Sequence, residues 1–167
     1  MDRHSRIGEA VAQITGSEIQ SSRPLTGGDV AASYCVALVD GRTVFAKTHA
    51  DPPGHFFDTE ARGLAWLSEA DALPVPVVLG ASDEPPLLVL EWIDEASTPP
   101  RDDAAFGTGL AQLHHAGAPC FGRTDRRTTG SRGLPNEPCD TWIEFYETQR
   151  LLLLIRLARD SDIYDDR

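Results

Sequence analysis

The chain has 167 residues, of which 41% are hydrophobic and 25% charged, and its formal net charge at pH 7 is -11. The excess of Asp and Glu excludes a nucleic-acid-binding or anionic-membrane surface, because such partners require clustered Lys and Arg. Three widely spaced cysteines without a C-x-x-C pair argue against a disulfide framework and a zinc site, and the N-terminal segment lacks the apolar stretch of a signal peptide. We therefore predict a cytoplasmic protein that binds neither nucleic acid nor membrane and holds no metal ligands in this chain.

The start of the chain predicts one helix followed by three strands. Apolar residues recur at helical spacing from about Arg6 to Ile14. The segments 19–25, 33–39 and 42–48 have the composition of strands. Asp40-Gly41 lies between the last two and is a strong hairpin signal, because both residues tolerate positive φ. We expect these three strands to form an antiparallel meander.

A second helix and two further strands are predicted next. The Pro- and Gly-rich segment 51–54 ends the meander, and one helical face then carries Phe57, Ala61, Leu64 and Leu67. Residues 77–79 and 87–93 have strand character and are separated by the turn-forming segment 82–86.

The second half of the chain changes from strand to helix. After a Pro-rich linker, Asp102 or Asp103 can cap a helix whose apolar face is formed by Phe106, Leu110 and Leu113. Residues 118–138 predict a loop rich in Gly, Thr, Arg and Pro. The capping box Thr141-x-x-Glu144 then begins a helix that extends to about residue 158.

Lys47 and Glu60 are the charged residues whose placement suggests chemistry. On a helical wheel Glu60 falls within the apolar stripe of the second helix, between Leu64 and Leu67, so its carboxylate requires a nearby cation. Lys47, at the end of the third strand, is the natural partner and would present its ammonium to phosphate oxygens. The alternative is a solvent-facing Lys and a Glu at the helix edge, which base rates for charged residues favour.

Two backbone segments are further candidates for binding. The small residues of 27–33 would let N–H groups approach phosphates, although the segment is no Walker A motif and by itself reads as an ordinary hairpin loop. The strand 87–93 leads into a Pro-rich crossing where its backbone could hold a purine edge, or it is simply a buried core strand. Adjacent His114 and His115 with Cys120 do not have the spacing of a metal site.

Several short motifs follow the order of a known family: Gly27-Gly28, Val44-Phe45-Ala46-Lys47, Phe57-x-x-Glu60, Val75-Pro76, Val89-Leu90-Glu91 and Leu110-Ala111-x-Leu113-His114. A more discriminating signature comes after them: Phe121-Gly122, Gly130, Pro135-Asn136 and Trp142-x-x-Phe145-Tyr146-x-x-x-Arg150-Leu151. With these motifs the chain resembles the fructosamine kinase (ketosamine-3-kinase) family, relatives of the aminoglycoside phosphotransferases.

The resemblance implies an α+β, protein-kinase-like fold. Residues 1–94 would form the N-lobe, a five-stranded antiparallel sheet with helix C. Residues 95–167 would form the hinge, the linker and the first helices of an incomplete helical C-lobe. It also implies that Lys47 contacts ATP phosphates, that Glu60 fixes Lys47, and that the backbones of Glu91 and Ile93 bind adenine. The residues expected to cover the phosphates are Gly27, Gly28, Asp29, Val30, Ala31, Ala32 and Ser33.

Two departures from the family are visible. Asp29 and Val30 stand where the family commonly has Cys and Ile, and an acidic side chain beside phosphates repels them unless it turns outward or meets a metal. The family's His-Gly-Asp-Leu-Trp-x-Gly-Asn catalytic loop and Asp-Pro metal motif do not occur downstream of Glu60. We therefore expect no catalytic residue in this chain, and we expect the Mg²⁺ ligands of an ATP-dependent reaction to lie outside it.

The expected function is that of a fructosamine kinase in its complete form, with ATP and a small glycated amine or glycated protein as partners and protein repair as the outcome. This chain would be a catalytically incomplete amino-terminal part. The alternatives are a non-catalytic nucleotide- or partner-binding module and a related kinase for an aminoglycoside, choline or homoserine. The apolar end of the last helix, 151–157, predicts association between copies of the chain.

Overall fold

The computed structural model describes residues 3–26, 30–94, 103–124, 128–129 and 132–161. Its internal contacts divide the chain into two units, Met1–Gly117 and Ala118–Arg167. The predicted boundary between lobes after residue 94 stays a prediction. Within the described ranges, no helix is both long enough and apolar enough to cross a membrane.

A five-stranded antiparallel sheet lies at the centre of the first unit, as predicted. In chain order the strands are β1 (Ile19–Leu25), β2 (Ala32–Leu38), β3 (Thr43–Thr48), β4 (Val78–Asp83) and β5 (Pro86–Glu91). Their order in the sheet is β1-β2-β3-β5-β4, and every neighbouring pair is antiparallel. The predicted meander is therefore confirmed, and β5 joins it next to β3.

The two faces of the sheet are covered by different helices. On one face, α1 (Arg3–Thr15) inserts Val11 into a core formed by Val36, Leu38, Val44, Ala46, Leu87 and Val89. On the other face, Phe57 of α2 (Phe56–Glu69) packs with Leu88 and Leu90, and Phe45 lies against this cluster. Because side chains alternate along a strand, Lys47, two residues after Phe45, belongs to the α2 face.

The turn between β2 and β3 differs in detail from the predicted two-residue turn. Gly41 has a φ of 88°, whereas Asp40 does not adopt positive φ. The Leu38 amide donates to the Arg42 carbonyl (2.8 Å) and the Gly41 amide donates to the Leu38 carbonyl (3.0 Å), so three residues form the connection. Such a loop requires a left-handed residue only at its last position, which Gly supplies without a steric cost.

Arg42 ties this turn to the end of α1. Its Nε donates to Asp40 Oδ2 (2.8 Å) and its guanidinium donates to the carbonyl of Thr15 (2.6 Å). The hydrogen bond from the Arg42 side chain holds the pKa of the Asp40 carboxyl below its ordinary value of 3.8. The carboxylate is therefore favoured in its charged form by the folded state.

Two strand boundaries differ from the predictions. β4 extends to Asp83, well beyond the predicted end at residue 79, because it pairs with β5 along residues that have little strand propensity of their own. One of them, Gly80, is required sterically, since a Cβ there would lie 2.8 Å from the side chain of Ile14 in α1. β5 ends at Glu91, so Trp92 and Ile93 lie beyond the strand in which they were predicted.

The first unit ends with α3 (Asp103–His115), the helix for which Asp102 or Asp103 was the predicted cap. Gly109 is its buried residue, and a Cβ at that position would lie 2.5 Å from the side chain of Leu73 and 2.8 Å from the carbonyl of Ala72. Gly107, one half-turn earlier, has no atom within 4 Å of the same virtual position. Of these two glycines, only Gly109 lies where α3 closely approaches the segment after α2.

The second unit is held by a loop closure and a helical segment. Phe121 and Cys139 exchange two backbone hydrogen bonds of 2.9 and 2.8 Å, and the short strands β6 (Thr128–Thr129) and β7 (Arg132–Gly133) pair between them. Thr141 caps the helix as predicted, because its Oγ1 accepts a hydrogen bond from the amide of Glu144 (3.2 Å).

The prediction of one continuous helix to residue 158 is wrong, because a π-helical turn interrupts it at residues 147–151. The segment consists of α4 (Trp142–Tyr146), a π-helical turn (Glu147–Leu151) and α5 (Leu152–Asp160). The widened turn carries Arg150, whose guanidinium reaches back to the loop before the helix. Helical periodicity assumes a uniform 3.6-residue turn, so it does not reveal a turn that contains an inserted residue.

Candidate functional site

Lys47 and Glu60 form the ion pair that the sequence predicted. Lys47 Nζ lies 2.8 Å from Glu60 Oε1 and 2.9 Å from Oε2, so the ammonium donates to both carboxylate oxygens. The side chains are 26% and 33% exposed, respectively, which leaves the pair partly open to solvent. Because an ammonium has three N–H donors, one remains for another acceptor.

The position of Glu60 follows from how α2 sits on the sheet. Phe57, Ala61 and Leu64 pack on the α2 face of the sheet, and Glu60 lies among them on the helix. Asp58 and Arg62 form an exposed i,i+4 pair on the same helix, away from this face. The apolar stripe thus aims one carboxylate at β3 and leaves the other charges in solvent.

The described part of the predicted phosphate loop approaches Lys47 through β2. Ser33 is the direct cross-strand partner of Lys47, and Ala32 is the partner of Thr48. Ala31 packs against the cluster on the α2 face, whereas Val30 is 39% exposed. Gly27, Gly28 and Asp29 lie outside the described residues, so their predicted contact with phosphates stays a prediction.

Glu91 has its backbone N–H already engaged. This amide donates to the carbonyl of Val77 (2.9 Å), and the Val77 amide donates in return to Glu91 Oε1 (3.0 Å). Any contribution of the Glu91 backbone to a ligand is therefore restricted to its carbonyl oxygen. The same two bonds fix the end of β5 to the segment that precedes β4.

Ile93 has a backbone N–H that is without a partner among the described residues. Its side chain is 57% exposed, and its N–H makes no hydrogen bond with any residue in the described ranges. Because a buried or ordered N–H normally has a partner, an open one at the end of a core strand is a possible contact for a ligand. The predicted use of this N–H by a base stays a prediction.

Trp92 and Asp94 flank Ile93 in the chain and Arg23 contacts Trp92, and none of the three was predicted as a site residue. The Arg23 guanidinium lies 5.6 Å from the centre of the Trp92 ring, and Trp92 Nε1 donates to Asp94 Oδ1 (2.8 Å). The aromatic residue directly after a core strand was the available signal in the sequence. Arg23 carried none, since it lies on a strand far from residue 92 in the chain.

His114 and His115 join no cluster of metal-ligating side chains within the part of the chain that the structure describes. His115 Nδ1 lies 2.8 Å from the Ala111 carbonyl at the end of α3. Across the residues that the structure describes, no group of three or more His, Cys, Asp or Glu side chains could hold a metal ion.

The signature residues of the second unit bond to one another. Asn136 is 7% exposed; its Nδ2 donates to the Arg123 carbonyl (3.0 Å) and its Oδ1 accepts from Arg150 (2.7 Å). Arg150 also donates to the Pro135 carbonyl (2.6 Å) and lies 4.7 Å above the Phe145 ring. The amide and the guanidinium thus hold the loop against the helix.

Gly122 is a signature residue for which the local structure requires glycine. Its φ is 103°, and a Cβ there would lie 2.5 Å from the carbonyl of Glu137. Both the backbone conformation and the space exclude a side chain at this position.

Comparison with known proteins identifies the relatives of this arrangement. A family model described as fructosamine kinase matches residues 4–167. The chain is 33% identical over 159 residues to a Synechocystis protein named a probable ketoamine kinase, covering 92% of this chain and 53% of that protein. It is 32% identical over 127 residues to the chloroplastic protein-ribulosamine 3-kinase of Arabidopsis thaliana, covering 73% of this chain and 39% of that protein.

A solved structure agrees with these matches. The crystal structure of a Thermobifida fusca protein, provisionally named a fructosamine-3-kinase, has a TM-score of 0.83 and 35% identity, covering 96% of this chain and 56% of that chain. The predicted protein-kinase-like α+β fold is therefore confirmed. The chain spans about half the length of the curated relatives it matches.

Proposed function

Since the chain belongs to the fructosamine kinase family, we propose that its first unit binds the phosphates and the base of ATP. The observation that carries this proposal is the Lys47–Glu60 ion pair, with both Nζ–O distances below 3 Å. A lysine clamped by a helix carboxylate at the end of a core strand is how protein kinases hold the ammonium that contacts nucleotide phosphates.

Lys47 supplies positive charge to the phosphates, and Glu60 sets its position. Two of the three N–H donors of the ammonium point at Glu60, so the third is the one free to donate to a phosphate oxygen. Ser33, the direct partner of Lys47 on the neighbouring strand β2, contributes a hydroxyl on the side of the phosphate loop. The loop residues from Gly27 onward complete the cradle with backbone N–H groups.

The base lies at the end of β5 in this proposal. The Glu91 carbonyl accepts a hydrogen bond from the exocyclic amino group of adenine, and the Ile93 N–H donates to the adjacent ring nitrogen. The N–H of Ile93, for which the described ranges supply no acceptor, and the engaged N–H of Glu91 support this division of roles.

For the whole protein we propose phosphoryl transfer from ATP to a sugar hydroxyl of a glycated amine, free or on a protein. The hydroxyl oxygen bonds to the γ-phosphorus, the bond from that phosphorus to the bridging oxygen breaks, ADP leaves, and the hydroxyl proton passes to a base. The names of the ketoamine and ribulosamine kinase relatives support this substrate class. Mg²⁺ accompanies ATP in kinases, but the described residues offer no metal cluster, so we assign it no ligand here.

Calorimetric titration with ATP in the presence of Mg²⁺ tests the binding proposal. Lys47→Ala should weaken ATP binding about 10- to 100-fold, the range expected when one charged hydrogen bond is lost. Arg62→Ala, which removes an exposed cation from the outer face of α2, serves as the matched control and should leave the affinity unchanged. Absence of ATP binding by the unaltered chain contradicts the proposal.

A turnover assay tests whether this chain transfers phosphate by itself. We expect this chain to bind ATP without consuming it, because no His-Gly-Asp triplet occurs in its sequence. ADP release measured with a glycated lysine, an aminoglycoside and choline in parallel should therefore stay at background. Release with any of the three would contradict the expected lack of turnover, and release with the aminoglycoside or choline alone would also contradict the proposed acceptor class.

We also propose that copies of the chain associate through the last helix. Leu151, Leu152, Leu154 and Ile155 are each 40% exposed or more. Contiguous apolar surface of this kind normally contacts a partner. Light scattering across a concentration series should show a mass that rises with concentration, and Leu154→Glu should reduce that rise. A constant monomer mass contradicts this part of the proposal.

A further inference from the structure

Arg23 and Trp92 lie on the face of the sheet that carries Lys47. Arg23 is the cross-strand partner of Cys35, and Cys35 is the partner of Phe45, which packs on the α2 face. Directly paired residues of antiparallel strands project to the same face. Arg23 therefore shares a face with Lys47, and its guanidinium reaches the Trp92 ring just beyond the end of β5.

Three sets of contacts restrain the segment after β5, one just before it and two within it. Before it, Glu91 exchanges two hydrogen bonds with Val77. Within it, the Trp92 ring lies under the Arg23 guanidinium, and the indole N–H donates to Asp94 Oδ1. An irregular segment with these restraints on both sides of Ile93 has little freedom to rotate the Ile93 N–H away.

We infer that Arg23, Trp92 and Asp94 form a clasp that positions the Ile93 N–H for the adenine base and so selects adenine over guanine. The inference rests on the proposed binding of ATP and names positioning residues that this proposal does not include. Arg23 and Asp94 act through Trp92, and Trp92 acts through the backbone that it shares with Ile93.

The selectivity follows from the donors and acceptors of the two bases. Adenine offers an amino donor and a ring-nitrogen acceptor, which match the Glu91 carbonyl and the Ile93 N–H. Guanine offers an oxygen acceptor and a ring N–H donor at the same edge, so both contacts become mismatched. A site with fixed polar groups rejects a ligand that leaves them unpaired, whereas a mobile backbone can turn away and lose this discrimination.

The clasp contributes little to the stability of the ligand-free chain. Arg23 and Asp94 are exposed, and cation–π contacts at exposed sites are weak. Removing the guanidinium should therefore leave the melting temperature of the ligand-free chain nearly unchanged. A positioning role, by contrast, appears only when a base is bound.

The test compares ATP, GTP and inorganic tripolyphosphate by calorimetry on the 167-residue chain. Arg23→Gln should raise the Kd for ATP about two- to fivefold, the factor that corresponds to one exposed cation–π contact, and should lower the preference for ATP over GTP. The Kd for tripolyphosphate, which has no base, should not change. Trp92→Leu should have the same effects, and Trp92→Phe, which keeps a ring but loses the N–H donor, should have smaller ones.

Arg6→Gln is the matched control, since it removes an exposed Arg that pairs with Glu84 on another part of the first unit. It should change none of the three affinities. Arg23→Lys keeps the positive charge and a weaker ring contact and should restore most of the ATP affinity.

Three results overturn the inference in distinguishable ways. Unchanged ATP affinity in Arg23→Gln and Trp92→Leu rejects the clasp and leaves nucleotide binding intact. An equal loss for ATP and tripolyphosphate shows that Arg23 acts by charge on the phosphates and also rejects the clasp. Failure of the unaltered chain to bind ATP, while tripolyphosphate still binds, rejects the adenine site together with the clasp.

Discussion

Breaking the Lys47–Glu60 pair should destabilise the first unit measurably. An exposed ion pair contributes under about 1 kcal/mol, whereas removing one partner of a buried pair costs about 3–5 kcal/mol. The side chains here are 26% and 33% exposed, so the pair lies between these limits. We expect Lys47→Met to lower the free energy of unfolding by about 1–2 kcal/mol, which corresponds to about 2–8 °C in melting temperature for a chain of this size.

A double-mutant cycle isolates the interaction itself. Lys47→Met, Glu60→Gln and the double variant are compared by urea unfolding followed by circular dichroism. Once Lys47 is gone, the Glu60 carboxylate has lost its cation, so replacing it as well should recover part of the loss. We expect a coupling energy of about 1 kcal/mol, above the roughly 0.3–0.5 kcal/mol by which independent sites depart from additivity.

The exposed pair Asp58–Arg62 on the same helix is the matched control. Its side chains are 41% and 58% exposed, and an i,i+4 pair of this kind is worth about 0.2–0.5 kcal/mol. The cycle Asp58→Asn with Arg62→Met should therefore give a smaller coupling that salt screens further. Equal coupling in the two cycles, or none between Lys47 and Glu60, would refute the reasoning that partial burial strengthens the pair.

Three further predictions concern the rest of the chain. Gly109→Ala should destabilise α3 by about 1–3 kcal/mol through overpacking, whereas Gly107→Ala should be neutral or stabilising by up to about 1 kcal/mol, as measured by thermal unfolding. Arg150→Met should cost about 1–3 kcal/mol because it leaves a buried amide oxygen without its donor, and Arg156→Met, on the exposed side of the next helix, should cost little. Asp40→Asn should lower the melting temperature at neutral pH. Because the pKa of the Asp40 carboxyl is depressed in the folded state, the difference in melting temperature between the variant and the unaltered chain should persist above pH 3.8. This difference should disappear as the pH falls through the folded-state pKa.

The sheet and the central ion pair could be predicted because both depend on short-range pattern. Strand composition and the Asp40-Gly41 hairpin signal predicted β1, β2 and β3, and a helical wheel placed Glu60 on the face that meets the sheet. The apolar stripe of α2 fixes that helix in rotation, so a carboxylate within the stripe has few positions available. A cation at the end of the neighbouring strand then becomes its partner.

The clasp around Trp92 and the π-helical turn could not be predicted in the same way. Arg23 meets Trp92 only because β1 and the end of β5 share one sheet face, which depends on strand order and register. The turn 147–151 depends on Arg150 reaching a loop that precedes the helix. Both contacts join residues that no helical or strand period relates. The π-helical turn also interrupts the 3.6-residue period of its own helix.

The residues of the predicted family signature in the second unit have structural roles in this chain. Asn136 and Arg150 direct their polar groups at each other and at backbone carbonyls, and Gly122 is required by its positive φ and by the neighbouring carbonyl. A side chain whose donors and acceptors are satisfied internally has little capacity left for a substrate. A match in this signature is therefore evidence for a shared second unit and carries no information about the acceptor.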